Sequence, residues 1–328
     1  MKVVSFMYDV VALGEFLIDF TPSGKSANGN NLYEQNPGGG TANVLAALAK
    51  LGKKTAFIGK VGKDQFGYFL KDVLVNLNID AKGLVFSDDV NTTLAFVHLD
   101  ETGDRSFSFY RNPGADMMLK EDEVDCDIIK SSKVFHFSSI SMTHEPARSA
   151  TLKALDTARK NNLVISYDPN LRPPLWDNLE LAKEMMLKGL EYADILKISE
   201  EELYFLTGIS DLSEGSAFIR DKYGVKLIFV TLGPKGCFYR KGEYTGHQPA
   251  IDVKVVDTTG AGDSFLGSVL YQVIEKNMDI ELLTASDIDK TVSFANTVAG
   301  ISTMKKGAMP SYPTLKEVEE FVKARKLD

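Results

Sequence analysis

Short apolar, β-branched runs alternate with stretches of helical period along most of this chain, and no other feature restricts its fold as strongly. Strand-like runs occupy residues 8–13, 54–59, 133–138, 163–168, 193–198 and 226–232. Helix-like stretches fill 41–51, 65–77, 145–160, 179–192 and 213–223 between them. The strand runs are almost continuously apolar rather than alternating, as expected for strands buried on both faces. Repeated strand–helix units of this kind predict an α/β fold: a mostly parallel sheet covered by helices on both sides.

Two segments break the rhythm. Residues 16–37 are polar and rich in Gly, Asn and Ser, with no helical period. Residues 92–100, the turn Glu101-Thr102-Gly103-Asp104 and residues 105–110 read as a hairpin, with Phe107 and Phe109 alternating with Ser106 and Ser108. Such a flap needs a cover for its apolar face, supplied by a substrate, by a second subunit's flap, or by the domain's own core. The expectation is a lid that also pairs two subunits. No internal repeat or long linker separates independent domains.

Charge narrows the partners. Across 328 residues, 37 Lys+Arg stand against 45 Asp+Glu, a net charge of −8. That sign disfavours nucleic acid or an anionic membrane as the main partner. No uncharged run reaches the length of a membrane helix. The apolar start is interrupted by Asp9 and lacks a clean cleavage site, so a buried first strand is expected there, in a cytoplasmic protein. Cys126 and Cys237 are too far apart in sequence, and too few, for a disulfide framework; both are expected as buried thiols. His98, His136, His144 and His247 show no metal-ligand spacing.

The strongest chemical signal is Asp257-Thr258-Thr259-Gly260-Ala261-Gly262-Asp263, between a strand-like run at 251–256 and a helical stretch at 264–276. Small residues before a helix let backbone approach a ligand, and the unsatisfied N–H groups of the first turn form an anion site. A carboxylate beside that site suits removal of a proton from a hydroxyl that attacks phosphorus. Two alternatives stand: Asp263 as a simple helix cap, and a dinucleotide fingerprint, although Phe265 occupies the third glycine position. No Walker-type phosphate loop occurs anywhere in the chain. A second signal, Asn36-Pro37-Gly38-Gly39-Gly40-Thr41-Ala42-Asn43, exposes backbone amides and an Asn side chain. These suit a neutral, polyhydroxylated ligand, or else form a plain flexible loop before a helix.

The run 38–43 and the run 257–263 resemble the two signatures of the PfkB (ribokinase-like) sugar kinase family, and the likeness covers essentially the whole chain. Phe109-Tyr110-Arg111-Asn112-Pro113-Gly114-Ala115-Asp116, Tyr167-Asp168-Pro169-Asn170-Leu171-Arg172-Pro173-Pro174-Leu175-Trp176 and Lys197-Ile198-Ser199-Glu200-Glu201-Glu202 further resemble the fructokinases. The resemblance implies a ribokinase-like three-layer α/β/α domain over residues 1–328, with a small β-sheet lid inserted from about 16–37 and 92–112. It implies transfer of the γ-phosphate of ATP to the C6 hydroxyl of D-fructose, with 2-keto-3-deoxygluconate or a pentose as rival acceptor.

By the same resemblance Asp263 is the base, and the amides of Gly260, Ala261 and Gly262 hold the migrating phosphoryl group. Asp19, Gly39 and Asn43 grip sugar hydroxyls, and Arg111 on the lid side closes over the sugar. Glu202 organises waters around Mg²⁺, with Ser199 where the family commonly has Asn. Asp257, Thr259, Ser302, Lys305, Gly307 and Ser311 form a K⁺ loop. Thr231, Gly233, Gly236 and Asn296 line the nucleotide pocket. A sugar sensor without catalysis would tolerate loss of Asp263 or the anion-hole glycines, and all are present. A nicotinamide-dependent oxidoreductase lacks its fingerprint, because Gly14 is followed by Glu15 and Phe16.

Overall fold

A computed structural model describes residues 6–99, 105–277 and 279–325. The expected hairpin turn at 101–104 and the first five residues lie outside the described residues, as does the Phe107 side chain. Thirteen strands occur among the described residues. They are β1 (Tyr8–Leu13), β2 (Leu17–Lys25), β3 (Asn31–Gly38), β4 (Thr55–Gly62), β5 (Ile79–Ser87), β6 (Leu94–Leu99) and β7 (Arg105–Tyr110). The series continues with β8 (Ser132–Ser138), β9 (Val164–Asp168), β10 (Ile195–Ser199), β11 (Leu227–Thr231), β12 (Cys237–Lys241) and β13 (Tyr244–Gln248). The helices are α1 (Gly40–Lys50), α2 (Gln65–Asn76), α3 (Cys126–Lys130), α4 (Ala147–Lys160) and α5 (Leu179–Leu190). They continue with α6 (Glu200–Thr207), α7 (Leu212–Tyr223), α8 (Ala261–Glu275), α9 (Ala285–Ser302) and α10 (Leu315–Arg325). None of them is long and apolar enough to cross a membrane.

Nine strands form one sheet in the order β13-β12-β11-β10-β9-β8-β1-β4-β5. Pairing is parallel from β5 through β11, and β12 and β13 are antiparallel at one edge. The strands are apolar on both sides because both are covered. Val10 and Ala12 face a core shared with α1, α8 and α9, while Val11 and Leu13 face one shared with α4, α5 and α7. The chain leaves β1 toward β4 and β5, then crosses to β8 on its other side. The carboxyl ends of β1 and β8 therefore flank a topological switch point, where α/β sheets open a binding crevice.

Residues 16–37, which show no regular period, fold mainly as β2 and β3. With β6 and β7 they make a second sheet of order β3-β2-β6-β7. It is not wholly antiparallel, since β2 and β6 pair in parallel. Phe96 stacks on Phe20 at 4.9 Å and meets Tyr33 and Tyr110 edge-on. The expected strand at 251–256 does not form. Val255 and Val256 are more than half exposed, and the segment is tied down by Val256 N–H donating to Thr303 O and by Arg325 donating to Asp252 O rather than by a strand ladder. Without a neighbouring strand, apolar composition alone makes no ladder. Cys237 is buried as expected, but Cys126 is only half-buried.

Candidate active site

Helix α8 begins where the late glycine-rich run ends. Gly260 caps it in the left-handed region at φ +73°, and a Cβ there would stand 2.2 Å from Tyr312 Oη, so both backbone and space require glycine. Asp263 is the third residue of the helix and makes no cap hydrogen bond. Its Oδ2 instead accepts from Asn43 Nδ2 at 2.8 Å, which excludes the simple capping alternative. Burial, then repulsion from Asp168, lifts the Asp263 carboxyl to about 6. Lys197, Asn43 and Arg172 act the other way. Lys197 pairs with Asp168 at 2.9 Å, both groups being buried, and a Cβ on Gly262 would lie 3.1 Å from its Nζ.

The early glycine-rich turn joins β3 to α1. Gly39 takes φ +129°, and a Cβ on it would come 2.3 Å from the Glu15 carbonyl oxygen. Helix α1 has no local side-chain cap, and the remote Glu15 supplies one: its Oε1 accepts the Gly40 N–H at 2.7 Å. The turn, Glu15, Asp19, Asn43, Arg111 and Asp263 surround one cavity. Burial raises Asp19 to about 6 and Glu15 to about 7. Arg111 is buried just beyond β7, with Nε and Nη2 on Asp116 Oδ2 at 2.8 and 2.7 Å and Nη1 donating to Thr143 Oγ1.

A second cavity opens beside the first, bounded by Lys197, Ser199, Glu202, Thr258 and Gly262. Asn170, Arg172, Thr259, Gly260 and Asp263 line both cavities, so the carboxylate stands where the two meet. Glu202 caps α6 by accepting from Ser199 N–H at 2.9 Å, while its other oxygen accepts the Leu171 N–H at 2.6 Å. Of the three expected anion-hole residues, Gly260 and Gly262 reach this cavity. Ala261 does not line it, and its N–H bonds back to Thr258 O at 3.2 Å.

The other expected groups lie outside these two cavities, Thr259 excepted. Asp257 ties two turns together: Oδ1 accepts from the Thr259 N–H and hydroxyl, and Oδ2 from the Gly307 N–H. Ser302 and Ser311 donate to the carbonyls of Ala299 and Ala308, and the Lys305 N–H donates to Ser302 O. Thr231 is paired in register with Ser199 at the carboxyl end of the sheet. Gly233 and Gly236 both take positive φ in the turn that follows. Asn296 uses its amide to hold the carbonyls of Gln248 and Pro249.

The sequence pattern of pfkB family carbohydrate kinases matches residues 7–315. The chain belongs to that family. Its relatives include probable fructokinase-2 of Arabidopsis thaliana, 43% identical over 316 residues, which cover 96% of this chain and 95% of the relative. The fructokinase of Xylella fastidiosa with bound ATP superposes with a TM-score of 0.90 at 30% identity, covering 97% of this chain and 99% of its own. A fructokinase double mutant of Vibrio cholerae O395, in fructose-, ADP- and potassium-bound form, gives 0.86 at 32% identity, covering 97% and 99%. The fold is ribokinase-like: a large, mostly parallel sheet between helical layers, plus a small second sheet.

Within this pfkB-family site, the motifs gave no role to Glu15, nor to Lys197 and the partner of Arg111, Asp116, although the last two lie in fructokinase-like stretches. The available signal was position. Charged residues at the ends of otherwise apolar strands, as Glu15 stands after β1 and Lys197 within β10, are buried and need partners.

Proposed function

We propose that this pfkB-family enzyme is an ATP-dependent fructokinase, with fructose in the cavity around Asp19, Gly39, Asn43 and Arg111 and the triphosphate in the adjoining cavity. The observation that carries the reading is Asp263, a half-buried carboxylate fixed by Asn43 at the junction of the two. Asp263 takes the proton of the fructose C6 hydroxyl. That oxygen bonds to the γ-phosphorus as the bond to the β,γ-bridging oxygen breaks, and ADP leaves with the electron pair. Amides of Gly260 and Gly262, with the positive end of α8, stabilise the phosphoryl group in transit. Thr231, Gly233, Gly236 and Asn296 belong to the nucleotide's far end.

Because the chain is acidic overall, ATP is held by local groups rather than by long-range attraction. Among the described residues no cluster of three His, Cys, Asp or Glu forms a metal cage. Each Glu202 oxygen accepts one amide and has acceptor capacity to spare, and the residue lines the phosphate-side cavity, a donor set that fits a Mg²⁺ carried in by the nucleotide with its waters. That ion supplies neutralisation of phosphate charge. The Ser302 and Ser311 hydroxyls donate to carbonyls of their own turns, which leaves oxygen lone pairs that, with the Asp257 carboxylate bonded to Gly307, supply the hard donors K⁺ takes. The K⁺ loop so formed would stiffen the turn before α8.

The second sheet acts as a lid over the sugar and excludes water, which would otherwise accept the phosphoryl group. Its half-exposed Leu32 and Tyr33 and exposed Tyr110 suit pairing with the same sheet of a second copy in the cytoplasm. ADP release measured with fructose, ribose and 2-keto-3-deoxygluconate tests the reading. Fructose is expected to turn over fastest; preference for 2-keto-3-deoxygluconate would overturn the substrate, and no turnover of any sugar would overturn the kinase.

A further inference from the structure

Positive and negative charges along the sugar-side cavity are compensated unequally. Glu15, Asp19 and Asp263 line it, and Arg111 is the cation that borders this cavity and not the other. That guanidinium is already committed: Asp116 Oδ2 takes Nε at 2.8 Å and Nη2 at 2.7 Å, and Thr143 Oγ1 takes Nη1 at 3.2 Å. Asp116 does not line the cavity. Its side chain is 1% exposed, and its second oxygen accepts from the Thr93 hydroxyl. Viewed from the cavity, a buried pair of this kind carries almost no net charge.

The lining carboxylates have no such compensation. Glu15 is held by the Gly40 N–H at 2.7 Å and the Ser138 hydroxyl at 3.3 Å, neutral donors that leave its charge in place. Asp263 is held by the Asn43 amide. Among the described residues none of the three carboxylates stands in an ion pair. Arg172 borders both cavities, but its side chain is exposed, so water and salt screen its charge. Burial accordingly lifts Glu15 to about 7 and Asp19 to about 6. Above those values the cavity is net negative.

We infer that Asp116 sets acceptor specificity: by cancelling the charge of Arg111 it keeps the sugar-side cavity net negative, so that an uncharged sugar enters and a sugar carrying a carboxylate is rejected. The role rests on the kinase reading above. Hydroxyls of a neutral sugar find acceptors in these carboxylates, whereas a sugar acid meets like charge with no free counter-ion. Without the Asp116 charge, the released guanidinium becomes the partner of an incoming carboxylate.

The test measures kcat/KM for fructose and for 2-keto-3-deoxygluconate at pH 8, where Glu15 and Asp19 are ionised. Asp116→Asn is expected to shift the ratio toward the sugar acid by about 10–10²-fold, the scale of relieving like-charge juxtaposition. Leu at both 111 and 116 removes the guanidinium as well and is expected to gain nothing toward the acid. Thermal unfolding reads binding without turnover: 2-keto-3-deoxygluconate should raise the midpoint of Asp116→Asn and leave that of the wild type unmoved. Should Asp116→Asn fail to fold, Glu15→Gln carries the test, because its amide oxygen still accepts the Gly40 N–H while one lining charge is gone. A shift of about three- to tenfold in the same direction is expected there. An unchanged ratio in folded Asp116→Asn, or in Glu15→Gln where that variant stands in, overturns the inference. So does an equal gain in the double Leu variant, which would assign the effect to lost packing. A wild type that prefers the sugar acid would instead defeat the fructose reading, and one that phosphorylates no sugar the kinase reading.

Discussion

Asn43 Nδ2 and Asp263 Oδ2 lie 2.8 Å apart although 220 residues separate them in the chain. The contact depends on how closely α1 and α8 approach: a Cβ on Gly267 would stand 2.9 Å from the Ala47 Cβ. Asp263 sits in the first turn of α8, where backbone N–H groups lack helical partners, and Asn43 stands at the end of the first turn of α1, its own N–H bonded to Gly39 O. Two glycine-rich turns are thus brought together by helix packing, and the hydrogen bond orients a carboxylate toward the crevice.

Acid should switch this enzyme off. Asp263, lifted to about 6 by burial and by Asp168, must be ionised to accept a proton. Turnover per encounter is therefore flat well above that pH and falls about tenfold per unit below it. Asp19, also near 6 through burial, takes up a second proton in the same range and steepens the acid limb. A pH profile of kcat/KM for the sugar checks this; activity undiminished down to about pH 4.5 would contradict it.

Asn43→Ala should move that limb. The Asn43 hydrogen bond favours the charged form of Asp263, so its loss raises the carboxyl pKa and shifts the acid limb to higher pH. A loss of about tenfold in kcat at neutral pH accompanies the shift, the scale of one hydrogen bond to a charged group. Steady-state kinetics across pH reports both effects.

Much of this fold is legible in sequence because its strands are buried on both faces. Residues 8–13 coincide with β1, and the helical period at 65–77 ends one residue beyond α2. Where strands run out into solvent the signal fades. The last four residues of β2 and the first five of β3 are exposed on both faces and mostly polar, and β13 is an edge strand with none of its residues fully buried. The two glycine-rich turns announce the site because backbone geometry constrains them locally. Glu15 carries no such mark, and Asp116 stands in a recognisable stretch that does not say what it pairs with. Their importance arises when topology places β1 beside β8 and the end of β7 over that junction, which no local pattern encodes.

Asp116→Ala should destabilise the protein more than most single changes. The Arg111 and Asp116 side chains are 3% and 1% exposed, so removing the carboxylate strands a buried guanidinium. The expected cost is about 3–5 kcal/mol, read as a lower urea midpoint. Replacing Arg111 as well, with Leu at both positions, should recover part of it, because no unpaired charge then remains inside.

The account stands on Asp263 as the base, and Asp263→Asn tests it most directly. The amide keeps the shape of the carboxylate but cannot take the proton. Measured with ATP and fructose at neutral pH, kcat is expected to fall by about 10²–10⁴ while both substrates still bind with affinities within about threefold of wild type. A variant that turns over fructose at the wild-type rate would contradict the account.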